Sequence, residues 1–425
     1  MEHTSGPWKR AVESFLADLT SATAASRRLP GGPGGPGAAA HDGRPGDGRP
    51  GEGLDIPPEL GDLPEAAARV LARISPAGPA TAAPYPSIDR AVHEVFIAEV
   101  LADRLERRSE TPVDLDTLVH TTAATIDYFA ELAVTRVEGT PVTHGVVITT
   151  STDLTGAVET DVVYPGHLPT RKRTPLLFDG TQSTLVVGAT GRVLRGVDRS
   201  TLPEASATTA SLDAFDELPG IDGGLTAAAS AAYRGIGIYL RADRTILIFD
   251  NGTLLFIRRG LRWRSIAFES FTRTLMTLGA TSPAIAERVA RAALRLSMQG
   301  HGAILAICTD RDALVTVTET KDRASDTAEP TGDVDDDLTR LLHLPDVVTA
   351  AGLVRLARLD GATIVGPDGA VLAYGAIVRT TGSQGEGART AAARTLSTAV
   401  DVAISISHDG PVTVYRNGRA HLDLL

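Results

Sequence analysis

The stretch from Leu353 to Leu425 constrains the fold most, because turn chemistry punctuates it at short intervals. Arg358-Leu359-Asp360-Gly361-Ala362-Thr363-Ile364-Val365 reads as an apolar strand, Gly366-Pro367-Asp368-Gly369 as a turn, and Ala370-Val371-Leu372-Ala373-Tyr374-Gly375 as a second strand. A Gly-rich loop, Thr381 to Gly387, leads into Ala388-Arg389-Thr390-Ala391-Ala392-Ala393-Arg394-Thr395-Leu396-Ser397, which reads as a helix. An alternating strand, Val402 to Ser407, follows. A hairpin turned at Asn417-Gly418 closes the chain.

A glycine loop that opens a helix presents unpaired N–H groups and the positive end of the helix dipole, a combination suited to a polyphosphate. Arg389 adds a forked cation near the helix start, and Asp360 a carboxylate able to hold a divalent metal. The same spacing accommodates a plainer reading, in which Asp360 opens a turn and Arg389 is a solvated helix residue.

This order of elements, Asp-Gly-Ala at a strand, turn, strand, glycine loop, Gly-x-Arg-x-x-Ala-Ala helix, strand, Ser and hairpin, resembles the diadenylate cyclase domain. That is the nucleotide-binding domain of the DNA-integrity scanning protein and its relatives. Ser297-Met298-Gln299-Gly300-His301-Gly302-Ala303-Ile304-Leu305 is similar to the family's helix–His-Gly-Gly-Ala–strand entry, so the resemblance runs from about 282 to 425. It implies a mixed β-sheet flanked by helices that binds ATP with Mg²⁺ or Mn²⁺. It also implies a homo-oligomer whose domains meet face to face and condense two ATP to cyclic di-AMP and pyrophosphate. By resemblance Asp360 and Arg389 are catalytic. Gly361, Ala362, Gly375, Gly387, Ala388, Arg389, Thr390 and Ser407 line the nucleotide, and Asp360 and Asp409 bind the metal.

The chain also departs from the family. Gly-Thr-Arg-His-Arg-Ala-Ala becomes Gly387-Ala388-Arg389-Thr390-Ala391-Ala392-Ala393, and Ser-Glu-Glu becomes Ser407-His408-Asp409. The expectation is therefore weak turnover. A catalytically inactive nucleotide-binding sensor and a scaffold or dimerisation module are the alternatives.

The expected fold class is α+β. Residues 1–28 form an amphipathic helix (Trp8, Val12, Phe15, Leu16, Leu19) and 29–85 a Pro/Gly-rich, largely disordered linker. A separate α+β domain at 86–262 stands where relatives carry a sensor; a connecting helix at 263–281 precedes the 282–425 domain. Ser282-Pro283 caps a helix, and Asn251-Gly252 turns a hairpin. The basic run Arg171-Lys172-Arg173 and the acidic stretch Glu319 to Asp337 read as exposed loops. His120, His144 and His167 lack metal-ligand spacing, and Cys308 reads as core. A net charge of −11 argues against general nucleic-acid or anionic-membrane binding, and no apolar run approaches a membrane span, so a cytoplasmic location is expected.

Overall fold

The computed structural model describes residues 15, 61–74, 86–151, 154, 160–168, 174–202, 224–266, 268–279, 281–318, 348–379 and 387–424. The Pro/Gly tract 29–53, the basic run 171–173, the acidic stretch 319–337 and loop residues 381–386 lie outside these. So does the first helix, except helical Phe15, which is buried, stacks on His93 at 3.9 Å and meets Phe96 edge-on at 5.4 Å.

The chain is a mixture of α and β built on two mixed sheets flanked by helices. The first sheet follows three helices: α1 (Leu63–Ile74), α2 (Pro86–Arg108) and α3 (Leu115–Leu132). Its strands are β1 (His144–Thr149), β2 (Ser183–Gly188), β3 (Val193–Asp198), β4 (Ile236–Leu240), β5 (Ile246–Asp250), β6 (Thr253–Arg259) and β7 (Arg262–Ser265), with α4 (Gly224–Ala232) ahead of β4. They lie in the order β3-β2-β1-β4-β5-β6-β7. Two further helices, α5 (Phe268–Gly279) and α6 (Pro283–Met298), lead to the second sheet. That sheet comprises β8 (Ala303–Ile307), β9 (Ala362–Val365), β10 (Val371–Ala376), β11 (Val402–Ile406), β12 (Val412–Arg416) and β13 (Arg419–Leu424). Helix α7 (Ala350–Ala357) precedes β9, α8 (Ala388–Leu396) precedes β11, and the order is β10-β9-β8-β11-β12-β13.

Side chains alternate between sheet faces. In the first sheet Val146, Ile148, Ile238 and Ile248 point to the helices α1–α3, while Val147 and Val186 point to α4. In the second, Leu305, Ile404 and Val414 pack on α5–α7, and Ile304, Ile364 and Ala403 on α8. Tyr239, Phe249 and Ile257 of the first sheet join the α5/α6 core, so that helix pair is packed between the sheets.

Local signals act as turn and cap chemistry predict. The Ser282 side chain accepts from the Ile285 N–H, with Pro283 in the first turn of α6. Asn251 and Gly252 take φ of 49° and 85°, the two left-handed residues of a tight hairpin. Cys308 is buried and unpaired, and burial pushes its thiol up to about 11. The linker expected over 29–85 is corrected at its C-terminal end. Leu63, Ala66 and Val70 are fully buried, and the Arg69 guanidinium donates to Glu99 at 2.8 Å, so α1 belongs to the first core. The connecting segment 263–281 likewise starts as a strand, because β7 extends the sheet before α5 begins. No helix among the described residues is long and apolar enough to cross a membrane.

His144 is wholly buried at the start of β1. Its Nδ1–H donates to the Phe178 carbonyl at 2.9 Å and its Nε2 accepts from the Tyr164 hydroxyl at 3.1 Å. Burial pushes the imidazole down from its ordinary 6.5 to about 4, against a smaller raising effect of the Pro175 and Phe178 carbonyls. Between those two values the unfolded chain binds a proton that the folded chain refuses, so stability falls on acidification through this window, by ~3 kcal/mol in full. Urea unfolding at pH 7.5 and pH 4.5 should show this as a loss several-fold smaller in His144→Gln than in the wild type. Equal losses in both proteins would refute it.

Candidate functional site

A parallel strand pair builds the site. β8 and β9 run in the same direction with Ile304 opposite Ala362, so the residues just before each strand emerge at one end of the sheet. Helix α7 provides the approach to β9 and ends at its C-cap residue Arg358, leaving Arg358-Leu359-Asp360 as the lip above β9. The sequence reading began this strand at Arg358; the strand begins at Ala362, and the polar residues before it belong to the turn. β11 pairs antiparallel to β8, and α8, packed on β8 and β11, brings its N-terminus to the same region.

These pieces enclose a cavity of about 390 Å³ lined by His301 to Ile304, Arg358 to Gly361, Ala376 to Val378, and Ala388, Arg389 and Ala392. Of the residues singled out in the sequence it brings together Asp360, Gly361, Ala388 and Arg389, whereas Ala362, fully buried in β9, does not line it. Two glycines make the junction possible. A methyl on Gly302 would lie 2.5 Å from Nη1 and 2.6 Å from Cζ of Arg389, so the guanidinium rests on the Gly302 backbone. Gly361 adopts φ +104°, and a methyl there would meet the Gly375 carbonyl carbon at 2.5 Å and the Ala376 oxygen at 2.7 Å.

The remaining predicted residues fall elsewhere. Gly375, with φ +60°, is the backbone surface against which Gly361 packs and does not line the cavity. Gly387 is the exposed N-cap of α8, and makes no side-chain cap. Thr390 is half-buried and Ala391 buried; the cavity-facing positions are instead 388, 389 and 392, so the family's His and second Arg positions do not reach this cavity within one chain. Ser407 and Asp409 belong to the β11–β12 turn: the Ser407 N–H donates to Pro411 O, and the Asp409 N–H to Ser407 Oγ. Asp409 lines a separate cavity of about 230 Å³ with Asp243 and Arg259, between the two sheets. Arg259 donates there to the carbonyls of Asp409 and Ser297. The Asp360–Asp409 metal pair is thus not assembled, and no cluster of three or more His, Cys, Asp or Glu able to hold a metal exists among the described residues.

The sequence reading missed Arg358, which it took for a strand residue. Arg358, Asp360 and Arg389 are exposed, and none makes an ion pair with a described residue. Arg295 on α6 carries enclosed Nε and Nη1 atoms without a hydrogen-bond partner, and its pKa is lowered first by burial and then by the charges of Arg358 and Arg355. The rim is apolar, with Leu359 49% and Ile377 46% exposed. An uncompensated cationic lip over one carboxylate suits a multiply charged anion.

A larger cavity, about 870 Å³, lies between α5/α6 and the β5–β6 turn. None of the sequence-predicted site residues lines it. Its cations are largely neutralised: Arg104 and Arg108 pair with Asp250, and Arg291 with Glu287. Charge and the predicted residues both favour the smaller one.

The two glycines predict opposite behaviours. In Gly302→Ala the new methyl meets the far end of a flexible side chain, so thermal stability should hold while tripolyphosphate affinity falls about tenfold as Arg389 is pushed aside. In Gly361→Ala it meets backbone at a left-handed φ, so the melting temperature should drop by an amount equivalent to ~1–3 kcal/mol or more. Calorimetry and titration of both variants check this; a destabilised Gly302→Ala with unchanged affinity would contradict it.

No protein-family model matches the chain, and no curated protein matches it.

Proposed function

We propose that this cavity binds ATP with a divalent metal, and that the chain is a diadenylate-cyclase-type nucleotidyltransferase of low turnover. The observation that carries this reading is the convergence of Gly302, Asp360 and Arg389, distant in sequence, on one cavity at the end of a parallel strand pair. Arg389 and Arg358 would pair with phosphate oxygens, and the first-turn N–H groups of α8 would add donors. Leu359 and Ile377 offer apolar surface for the base. Asp360 is the one carboxylate among the lining residues. That donor set fits Mg²⁺ or Mn²⁺, which is commonly held by one or two carboxylates with phosphate oxygens and water completing the shell. Bound there, the ion would neutralise charge on the triphosphate.

In the reaction, each ribose 3′-hydroxyl attacks the α-phosphorus of the other ATP. The bond to pyrophosphate breaks, and the hydroxyl proton is lost to a base. Asp360 would orient the hydroxyl or accept that proton, and Arg389 would hold the phosphates in line, both lining the same cavity. Two nucleotides are consumed, so two such cavities must face each other in a homo-oligomer. A second reading, nucleotide binding without turnover, is favoured by the placement of Thr390 and Ala391 outside the cavity.

Incubation with ATP and Mn²⁺, followed by chromatography, should yield cyclic di-AMP and pyrophosphate. Asp360→Ala should abolish product. Arg389→Ala should lower its rate by one to two decades, corresponding to the ~1.5–3 kcal/mol of a charge-assisted hydrogen bond. Binding without product would leave the sensor reading, and absence of ATP binding would refute both.

A further inference from the structure

We infer that residues 86–259 are a second copy of the fold that carries the cavity, with its own pocket closed, so that the chain holds one nucleotide site. Connectivity supports this first. In both halves two helices lead to a central strand, which pairs in parallel with the next strand and antiparallel with the fourth, and the order β3-β2-β1-β4-β5-β6 is repeated as β10-β9-β8-β11-β12-β13.

Register makes the match residue by residue. Gly235 to Gly252 match Asp401 to Gly418 in register without a gap: Gly237 pairs with Phe249 as Ala403 pairs with Tyr415, and Leu240 with Ile246 as Ile406 with Val412. The next ladder bulges after Ile248 in one half and after Val414 in the other. The hairpin residues Asn251 and Asn417 have φ of 49° and 50°. The glycines after them, Gly252 and Gly418, each donate an N–H at 2.9 Å to a serine hydroxyl at the end of the helix before the fourth strand, Ser230 in its last turn and Ser397 as its C-cap. The β2–β3 and β9–β10 hairpins agree as well: Gly188 bonds Arg192 as Gly366 bonds Ala370, and Gly191 and Gly369 have φ of 77° and 83°. Two unrelated sheets could share an order by chance. Matching bulges, left-handed positions and a helix-to-hairpin hydrogen bond make a shared plan the simpler explanation.

The registers also identify what stands at each site position. Gln182 occupies the place of Asp360 and Gly145 that of Ile304, a cavity-lining residue. Asp179, three residues before Gln182, turns its Oδ1 onto its own loop, accepting from the N–H groups of Thr181, Gln182 and Ser183 at 2.9, 2.7 and 3.2 Å. Where the cavity would open, Gly145 packs on Gly180 and Thr226, and Gly180 packs on the Tyr239 ring. The Thr226 hydroxyl bonds Gly180 O at 3.1 Å and Thr184 Oγ1 at 3.2 Å. Tyr239 stands at the register position of Ser405, and Thr226, one turn before Ser230, at that of Ala393; with glycines at 145 and 180 in the places of the lining residues Ile304 and Arg358, these two side chains close in on the first copy.

The nucleotide arm of the test rests on the function proposed above; a second arm does not. Equilibrium dialysis of the full chain with ATP and Mg²⁺ should give one nucleotide per chain, and none in Asp360→Ala/Arg389→Ala. Two per chain, or one surviving in the double variant, would overturn the closed first copy. Absence of binding in the wild type would count against the proposed function alone. In that event amide exchange decides: Gly145 and the 178–183 loop should exchange as slowly as the β4–β5 core. Exchange there as fast as at 358–361 would overturn the inference whatever the nucleotide result.

Discussion

The parallel pairing of two neighbouring strands at the centre of each sheet is the constraint on which the rest depends. Parallel neighbours cannot be joined by a tight hairpin and need a crossover. In return, both strands begin at the same end of the sheet. That places Gly302 and Asp360 side by side, although the segment between them spans α7 and the residues before it. An antiparallel strand on the other flank then brings the β11–β12 turn to that end, and the helix before β11 arrives with its N-terminus there. The same pairing of β1 with β2 gives the first half the same geometry, and there Thr226, Tyr239 and the 178–183 loop have filled it. One backbone plan thus yields an open pocket or a sealed one, depending on a few side chains.

Charge separates the two uses of arginine in this chain. Arg104 is fully engaged: it forks onto Asp62 at 2.7 and 2.8 Å and reaches Asp250 at 3.0 Å, tying α2 to the residue before α1 and to β5, and these partners raise its pKa despite burial. Arg358 and Arg389 make no ion pair with a described residue, and Arg295 on α6, half-buried, has its pKa lowered first by burial and then by the charges of Arg358 and Arg355. Two cations lining a cavity with a single carboxylate leave a local positive surplus that favours an anion able to neutralise it. In a chain of net charge −11, that surplus is local, which is why a total charge arguing against nucleic acid is compatible with a polyphosphate site.

Much of this was legible in the sequence wherever local chemistry decides the backbone. Asn-Gly turns, the Ser282-Pro283 cap and the alternating apolar strands placed most elements to within a few residues, the strand read from Arg358 starting four residues later, and Asp360 and Arg389 line one cavity. What was not legible depends on tertiary placement. Helix α1 follows a Pro/Gly tract and was absorbed into it by composition, although Leu63, Ala66 and Val70 carry a buried stripe. Arg358 looked like a strand residue because nothing local marks where α7 stops. Gly375 and Asp409 matched motif positions, yet one packs against Gly361 and the other stands in the turn that Arg259 braces. The repeat is hard to see in the sequence because its copies share turn positions and apolar periodicity more than residue identity: over Gly235–Gly252 and Asp401–Gly418 only an isoleucine, an aspartate and the Asn-Gly turn recur.

Diffraction from crystals grown with ATP and Mn²⁺ tests the central claim most directly, because anomalous scattering locates the metal independently of the protein. The predicted result is one peak per chain within about 2.0–2.3 Å of the Asp360 carboxylate, with the triphosphate lying between Arg358 and Arg389. A metal and triphosphate seated in the α5/α6 cavity, in the Asp243–Asp409 cavity or in the first half of the chain would contradict it.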